Sequence, residues 1–305
     1  MIKIVSRLSI AACMVSWCSG CAPMQLLAVN VRAAYVPHTR LTDVAYGTEP
    51  RNKLDVYMPN KSSAEHAPVP MVVFIHGGGW FTGGKAYHQF VGAGLAAQGY
   101  VAVVPNYRLY PKVKAPAVFE DVAAAVVFAH DHALEWGADP TRLYVVGHSA
   151  GAHLAVMLAL NRNYLQHAGA SPDVMRGVVG LDGPYDFLPF PYKYLNDFFG
   201  PPENFAASQP INFVRSDAPP LLLIHGLKDN IVNPNNTRSL TAAMQAVGGR
   251  VHAEYFPNAD HYTALQAFSP LTRHPVPVLQ EIHDFIYGDD AVATPTTASS
   301  AVVAR

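Results

Sequence analysis

The pentapeptide Gly-His-Ser-Ala-Gly at residues 147–151 constrains the fold of this chain more than any other stretch. A continuous apolar run, residues 143–146, enters it, and a segment with helical apolar spacing, residues 152–160, leaves it. These flanks predict a strand, a sharp turn and a helix, with the serine at the apex. The glycines on either side keep Cβ atoms out of a crowded backbone. We therefore expect a serine hydroxyl that stands above the edge of a sheet.

Strand and helix patterns alternate along the rest of the chain. Several apolar runs are continuous, which is typical of strands buried on both faces. The predicted strands are residues 41–46, 54–58, 71–75, 100–104, 143–146, 178–181, 221–224 and 252–256, and the predicted helices are residues 87–98, 117–135, 150–160, 235–247 and 276–287. This order predicts an α/β fold whose central sheet has about eight strands, mostly parallel, with helices on both faces.

Composition narrows the range of partners. Charged residues make up 14% of the chain, against roughly 25% in an ordinary soluble domain, and the formal net charge is -1. No nucleic-acid partner is therefore expected. The cysteines, Cys13, Cys18 and Cys21, all lie near the N-terminus, which excludes disulfides and cysteine-ligated metals from the body of the chain. The sequence contains no HxxxH pair with a supporting carboxylate, so it predicts no metal site, and no cofactor is expected.

The first 21 residues are interpreted as an export signal. Lys3 and Arg7 precede an apolar run that is too short to span a bilayer. The ending Ser-Gly-Cys resembles the end of a bacterial lipoprotein signal, which would make Cys21 the lipidated residue. Ordinary cleavage nearby, or an uncleaved anchor, is the alternative. We expect an exported protein that is attached to a membrane through a lipid, or otherwise a periplasmic or secreted one.

Three further features supply what a serine nucleophile needs, which is a base, a carboxylate that orients the base, and donors for an oxyanion. The loop His-Gly-Gly-Gly-Trp at residues 76–80 follows one predicted strand, and its glycines allow close approach of the backbone to a substrate. Asp229 follows the predicted strand 221–224, and His261 follows the last predicted strand. The order Ser149, Asp229, His261, with each residue beyond a strand end, predicts acyl-transfer chemistry.

These motifs resemble those of α/β-hydrolases of the carboxylesterase group with an HGGG loop, near the hormone-sensitive-lipase-like esterases and the kynurenine formamidase-like enzymes. The likeness covers about residues 52–287. It includes Leu-Asp-Val-Tyr at 54–57, Asn-Tyr-Arg-Leu at 106–109 and Asp-Asn-Ile-Val at 229–232. One departure is Asp-Gly-Pro-Tyr-Asp at 182–186, where many relatives begin with Ser-Gly, so the resemblance does not define the cap or the acyl pocket.

The resemblance implies a role for each matching residue. Ser149 would be the nucleophile, His261 the general base and then the general acid, and Asp229 the partner that holds the imidazole tautomer. The backbone N–H groups of Gly78, Gly79 and Ala150 would form the oxyanion hole. Asp182, Asp186 and Asp260 are rivals of Asp229, which is favoured because residues adjacent in sequence, such as Asp260 and His261, rarely direct their side chains at each other.

Other residues in and near the motifs are candidates for the substrate pocket. They are Trp80, His148 and Tyr185, and for the aromatic side chains a place in the core is the alternative. His76 is expected to brace its loop through side-chain hydrogen bonds. Arg108 and Asp121 are interpreted as a structural charge pair between a strand end and the next helix.

The chain is thus divided into an export signal at 1–21, a linker at 22–39, an α/β-hydrolase catalytic domain at 40–287 and a disordered tail at 288–305. The segment 183–218 interrupts the alternation of strands and helices, and a loop of this length predicts a small cap over the site. The sequence predicts no oligomeric state.

The predicted function is that of a serine carboxylesterase acting on small-molecule esters, with short acyl chains, through an acyl-enzyme intermediate. An amidase of the arylformamidase kind is the alternative, because Gly-His-Ser-Ala-Gly-Ala-His at 147–153 resembles such enzymes. Their formylkynurenine substrate belongs to the cytosol, so the predicted export argues against this alternative. A non-catalytic binding protein on the same scaffold is less favoured, since the serine, the aspartate and the histidine are all present.

Overall fold

The structure, a computed structural model, describes Asn30 and residues 35–60, 67–269 and 276–292. Residues 1–21, including Cys21, lie outside the described residues, as does the end of the predicted tail. Within the described residues, no helix is long and apolar enough to cross a bilayer.

A sheet of eight strands forms the centre of the described chain. The strands are β1 (His38–Ala45), β2 (Lys53–Pro59), β3 (Val69–Ile75), β4 (Val101–Pro105), β5 (Ala138–His148), β6 (Gly177–Leu181), β7 (Leu221–Gly226) and β8 (Val251–Phe256). Their spatial order is β1-β2-β4-β3-β5-β6-β7-β8. The β1–β2 and β2–β4 pairs are antiparallel, and the other neighbouring strands are parallel. This arrangement confirms the predicted α/β fold with a mostly parallel sheet.

Helices cover both faces of the sheet. They are α1 (Gln89–Ala97), α2 (Ala115–Asp131), α3 (Ala150–Leu160), α4 (Asn163–His167), α5 (Tyr194–Phe199), α6 (Asn235–Ala246), α7 (Thr263–Gln266) and α8 (Val278–Val292). Alternate residues of β3 join different cores: Val73 packs in the cluster that holds α2 and α3, and Val72 and Phe74 pack in the cluster that holds α1 and α8. Burial on both faces explains why this strand is a continuous apolar run.

Ordered elements extend beyond both predicted ends of the catalytic domain, 40–287. β1 begins at His38, inside the predicted linker 22–39, because His38 already pairs with Pro59 of β2. α8 continues to Val292, five residues into the predicted tail 288–305. Gly288 does not end this helix, whose apolar stripe is anchored in the core by Ile282 and Ile286.

The segment 183–218 contains α5 and three short 3-10 turns. Its aromatic side chains pack on Trp80, which follows β3: the ring centroids of Trp80 and Phe199 are 5.4 Å apart, and those of Trp80 and Phe198 are 5.5 Å apart. The hydroxyl of Tyr194 donates a hydrogen bond to the backbone oxygen of Gly79 at 3.2 Å. The segment therefore lies against the glycine-rich loop at the carboxyl edge of the sheet.

Candidate active site

Ser149 occupies a strained turn between β5 and α3. Its φ is 55° and its ψ is -121°, a conformation that is costly for a residue with a Cβ atom. Its backbone N–H donates to the carbonyl of Leu181 at 2.8 Å, which fixes the turn against β6. A Cβ atom at Gly147 would collide with the backbone of Gly151, and one at Gly151 would collide with the carbonyl of Ile75. The two glycines are therefore required by close packing of the turn on itself and on β3.

The structure brings Ser149, His261 and Asp229 together in one chain of hydrogen bonds. The hydroxyl Oγ of Ser149 lies 2.9 Å from Nε2 of His261, and Nδ1 of His261 lies 2.7 Å from Oδ2 of Asp229. Since a carboxylate only accepts, Nδ1 carries the proton and Nε2 is left to accept from the serine. The imidazole is thus held in the tautomer that general-base chemistry requires.

Asp229 is buried and is held as a carboxylate by donors from its own loop. Its Oδ1 atom accepts the backbone N–H groups of Ile231 at 2.8 Å and Val232 at 2.9 Å. Burial by itself raises the pKa of Asp229, but hydrogen bonding by His225 and His261 outweighs it and holds the pKa below its ordinary value. His225 Nε2 donates to the carbonyl of Val232 at 3.0 Å and is 3.4 Å from the carboxylate, so His261 at 2.7 Å is the closer partner.

The rival carboxylates have other positions. Asp260 accepts the backbone N–H of Thr263 at 3.0 Å and its hydroxyl at 2.7 Å, and so caps the start of α7. Asp182 is fully buried at the end of β6, where one carboxyl oxygen accepts the N–H of Gly226 at 2.8 Å. Burial and the nearby Asp229 raise its pKa well above the ordinary value. Asp186 is exposed beside the site.

Asp182, His225 and Asp229 form a cluster whose ligand-type atoms lie within 4.8 Å of one another. Both ring nitrogens of His225 already have partners, the hydroxyl of Thr237 at 2.7 Å and the carbonyl of Val232 at 3.0 Å. Because the nitrogen that bonds the carbonyl must carry a proton, it has no lone pair for a metal. The cluster is therefore a hydrogen-bond network that supports Asp229.

The predicted oxyanion donors lie beside Ser149. The backbone N–H groups of Gly78, Gly79 and Ala150 donate no hydrogen bond to any residue that the structure describes. Gly78 has a φ of 118° and Gly79 a φ of 59°, values that favour glycine. A Cβ atom at Gly78 would also collide with the carbonyl of Thr82. Within the part of the chain that the structure describes, these three N–H groups are therefore available to bind an anionic oxygen.

His76 and Tyr107 brace the glycine-rich loop. Nδ1 of His76 donates to the carbonyl of Gly77 at 2.8 Å, and the hydroxyl of Tyr107 donates to the carbonyl of His76 at 2.8 Å. Burial lowers the pKa of His76 well below its ordinary value, so the ring is neutral. The bracing role predicted for His76 is confirmed. The predicted pair of Arg108 and Asp121 is also present, with a 2.8 Å contact.

His148, a predicted pocket residue, links the serine turn to the histidine loop. Its Nε2 atom donates to the backbone oxygen of His261 at 2.8 Å. Burial, together with the neighbouring His261, lowers the pKa of His148 to about 3, so the ring stays neutral. The side chain also lines the site.

Two clefts meet at Ser149. The first, here the His261 cleft, has a volume of about 440 Å³ and is lined by the residues Gly77, Gly78, Gly79, Phe81, Thr82, Gly83, Tyr87, His88, His148, Ser149, Tyr192, Tyr194, Ile231, His261, Tyr262 and Leu265. The second, here the Trp80 cleft, has a volume of about 390 Å³ and is lined by Gly79, Trp80, Ser149, Ala150, Pro184, Asp186, Phe187, Leu188, Pro189, Pro191, Tyr192, Tyr194, Leu195, Ile231, Val232, Asn233, Asn235 and Asn236. Each is large enough to bind part of a small organic molecule.

The prediction that Tyr185 lines the substrate pocket is wrong. Its side chain is fully buried and lines neither cleft. The hydroxyl end of the ring fits against Gly180 and Gly183, where any Cβ atom would collide with it. Trp80, by contrast, lines the Trp80 cleft as predicted.

Several lining residues have no clear signal in the sequence. Phe81, Tyr87, Tyr194, Ile231 and Tyr262 come from separate loops and short helices, without any periodicity. Only the neighbouring motifs give a hint, since Phe81 follows the glycine-rich loop, Ile231 lies in the motif 229–232 and Tyr262 follows His261. A position in or next to a motif could have marked these three as candidates.

Three curated proteins illustrate what the chain is similar to. A probable isoprenylcysteine alpha-carbonyl methylesterase of Arabidopsis thaliana is 26% identical over 90% of this chain and 62% of its own length. Esterase LipC of Mycobacterium tuberculosis is 32% identical over 72% of this chain and 58% of its own length. Kynurenine formamidase of Danio rerio is 30% identical over 77% of this chain and 78% of its own length. The chain thus spans less than two thirds of the first two relatives.

Solved structures share the fold. Esterase B of Lactobacillus rhamnosis, inhibited by a C6-C4 SN3 compound, has a TM-score of 0.72 and 23% identity, over 88% of this chain and 95% of that one. A truncated carbohydrate esterase from gut microbiota has a TM-score of 0.68 and 20% identity, over 83% of this chain and 96% of that one.

The family comparison agrees with the resemblance found in the sequence. The model of the BD-FAE family matches residues 54–244, a range that includes the glycine-rich loop, the serine turn and Asp229. The predicted kinship with hormone-sensitive-lipase-like and kynurenine formamidase-like enzymes is confirmed. The chain belongs to the BD-FAE family, a hormone-sensitive-lipase-like family of α/β-hydrolases.

Proposed function

We propose that this protein hydrolyses carboxylic esters through a covalent acyl-enzyme on Ser149. The observation that carries the proposal is the unbroken set of hydrogen bonds from Ser149 through His261 to Asp229, at 2.9 Å and 2.7 Å. It lies beside backbone N–H groups that have no acceptor among the described residues. The esterase names of two of the relatives support the same chemistry.

In the first half-reaction, Oγ of Ser149 attacks the ester carbonyl carbon, and Nε2 of His261 takes the hydroxyl proton. The carbonyl oxygen becomes an oxyanion, which the N–H groups of Gly78, Gly79 and Ala150 stabilise. The ionised Asp229 stabilises the imidazolium. When the carbon–oxygen bond to the alcohol breaks, Nε2 of His261 returns the proton to the leaving oxygen.

In the second half-reaction, water takes the place of the alcohol. His261 accepts a proton from the water, and the water oxygen attacks the acyl carbon. His261 then returns the proton to Oγ of Ser149 as the bond between Oγ and the acyl carbon breaks and the acid leaves. The net reaction consumes one ester and one water and yields one acid and one alcohol. The nucleophile, the general base, its orienting carboxylate and the oxyanion donors all belong to the chain, and water is the second substrate.

The test combines covalent labelling with a serine variant. Ser149→Ala is expected to abolish labelling by a fluorophosphonate and to lower turnover of p-nitrophenyl acetate by about 10⁶, because the three side chains act as one unit. Ser171→Ala, which removes an exposed hydroxyl in a turn before β6, is the matched control and keeps both activities. Retention of most turnover by Ser149→Ala would overturn the proposal.

Short acyl chains are the proposed substrates, and a formamidase activity is the second candidate. The second candidate is supported by the kynurenine formamidase relative, of which the chain covers 78%. Turnover of N-formylkynurenine is compared with that of p-nitrophenyl acetate, butyrate and octanoate. A preference for acetate or butyrate supports the esterase, whereas a higher kcat/KM for N-formylkynurenine supports the formamidase.

We further propose that residues 1–21 direct export and that Cys21 carries a lipid anchor. The charged start, the short apolar run and the Ser-Gly-Cys ending support this proposal. Cys21→Ser is expected to abolish incorporation of a labelled fatty acid and to release the protein from membranes. Cys18→Ser is the matched control. Incorporation by Cys21→Ser equal to that of the parent would contradict the anchor.

A further inference from the structure

The two clefts at Ser149 differ in their relation to the general base. Gly79, Ser149, Tyr192, Tyr194 and Ile231 line both of them. His261 lines the first cleft only, together with its neighbour Tyr262. Ala150 and Trp80 line only the second cleft. Ser149 therefore lies where the two clefts meet, and the general base His261 lies on the side of the first cleft.

This asymmetry decides where each half of an ester can lie. For the alcohol to leave, Nε2 of His261 must come within hydrogen-bond reach of the leaving oxygen. The leaving oxygen therefore lies on the His261 side of the carbonyl carbon. The carbonyl oxygen is held by the N–H groups of Gly78, Gly79 and Ala150, so the acyl substituent must extend in the remaining direction, into the second cleft.

We propose that the His261 cleft binds the alcohol part of the substrate and that the Trp80 cleft binds the acyl part. The assignment rests on the proposed function, since it follows from the direction of proton transfer to the leaving group. It fixes which side chains select each half of the ester.

The lining of the His261 cleft identifies the kind of alcohol that it would take. No Lys, Arg, Asp or Glu is among its described lining residues. Its rim exposes large rings instead: Phe81 is 51% exposed, Tyr87 44% and Tyr262 37%. Exposed aromatic faces without charged neighbours favour stacking on a flat, neutral ring. The alcohol is therefore expected to carry a ring with a flat apolar face.

The lining of the Trp80 cleft limits the acyl part. Trp80 is only 4% exposed and forms an apolar inner wall. The exposed lining residues are mixed, since Asp186, Asn233 and Asn235 are polar whereas Leu188, Pro189 and Pro191 are apolar. A short apolar acyl group would lie against Trp80, whereas a longer chain would extend into this mixed outer part of the cleft.

Two exposed residues allow the assignment to be tested without disturbing the core. Tyr87 lines only the His261 cleft, and Leu188, which is 40% exposed, lines only the Trp80 cleft. The variants Tyr87→Ala and Leu188→Ala are compared with the parent in two ester series. One series, ethyl and benzyl acetate, varies the alcohol, and the other, ethyl acetate and ethyl butyrate, varies the acyl group.

Tyr87→Ala is expected to lower the ratio of kcat/KM for benzyl acetate over ethyl acetate by about three- to tenfold, on the scale of one lost ring contact, and to leave the butyrate-to-acetate ratio unchanged. Leu188→Ala is expected to change the butyrate-to-acetate ratio and to leave the benzyl-to-ethyl ratio unchanged. The reverse pattern, or no change in either ratio, would overturn the assignment.

Fluorophosphonate labelling separates this failure from failure of the proposed function. If the parent is labelled at Ser149 and hydrolyses the esters but the ratios do not move as expected, only the cleft assignment is wrong. If Ser149 is neither labelled nor needed for turnover, the proposed function itself is wrong. A urea unfolding midpoint equal to that of the parent in both variants excludes misfolding as the cause of a changed ratio.

Discussion

The Nε2 atom of His148 lies 2.8 Å from the backbone oxygen of His261. The residue before the nucleophile therefore binds the backbone of the general base. The two rings are 4.9 Å apart between centroids. Burial and the neighbouring His261 lower the pKa of His148 to about 3, so its ring is neutral, and because a carbonyl oxygen only accepts, Nε2 carries the single ring proton. His148 is therefore interpreted as a positioning residue that sets the distance between Ser149 and His261.

This role predicts graded effects for substitutions at His148. His148→Ala removes the donor and is expected to lower kcat about ten- to a hundredfold, because a small displacement of a catalytic group has an effect of this order. His148→Gln places an amide N–H near the lost Nε2–H and is expected to recover most of the rate. Single-turnover acylation by p-nitrophenyl acetate measures the effect. Equal rates for both variants would contradict a positioning role.

The orienting carboxylate gives a second prediction. Asp229→Asn replaces an acceptor that is 2.7 Å from Nδ1 of His261 by an amide that can stabilise the wrong tautomer. We expect kcat to fall by about 10⁴, as for the corresponding change in other serine hydrolases. Asp260→Asn keeps an acceptor for the start of α7 and is expected to change kcat little. A greater loss in Asp260→Asn than in Asp229→Asn would show that Asp260, and not Asp229, orients His261.

The sequence was sufficient to predict most of the sheet and the positions of the three side chains. Continuous apolar runs such as 71–75 are local signals, because burial on both faces removes polar residues from a strand. Ser149, Asp229 and His261 each follow a predicted strand, and parallel strands end at one edge of a sheet. Their meeting is therefore a consequence of topology.

Contacts between distant residues could not be predicted in this way. Tyr185 is buried because Gly180 and Gly183 leave room for its ring, and no local pattern records that fit. His148 and the His261 carbonyl are 113 residues apart in sequence. The ends of strands can be predicted from the local sequence. The clefts cannot, because their side chains come from distant segments that meet only in the folded chain.

The surroundings of two glycines, one in the serine turn and one in α8, predict opposite effects on stability when each is replaced by alanine. Gly151→Ala is expected to destabilise the protein by several kcal/mol, because its Cβ would collide with the carbonyls of Ile75 and His76. Gly288→Ala lies in α8 with no atom near its Cβ, and is expected to stabilise by about 0.5–1 kcal/mol. Urea denaturation measures both. A stable Gly151→Ala protein would contradict the packing of the turn on β3.

Buried neutral histidines predict a loss of stability in mild acid. Burial lowers the pKa of His88 and of His153 to about 4, from 6.5, and that of His148 to about 3. Below about pH 6.5 the unfolded chain binds protons that the folded chain does not bind. The contribution of the neutral histidines to the free energy of unfolding is therefore complete above that pH and is lost as the pH falls toward 4. Each such group contributes a slope of about 1.4 kcal/mol per pH unit.

A single variant isolates this slope from other titrating groups. Asp182, whose pKa burial raises, contributes a slope of opposite sign above the ordinary pKa of a carboxyl, so the absolute slope of the parent is not decisive. His153→Gln removes one buried imidazole and is expected to lessen the fall in unfolding free energy between pH 6 and 5 by about 1.4 kcal/mol. His252→Gln, at a side chain that is 66% exposed, is expected to keep the parental slope. Urea titrations at the two pH values measure the difference, and equal slopes for His153→Gln and the parent would mean that His153 is protonated in the folded protein.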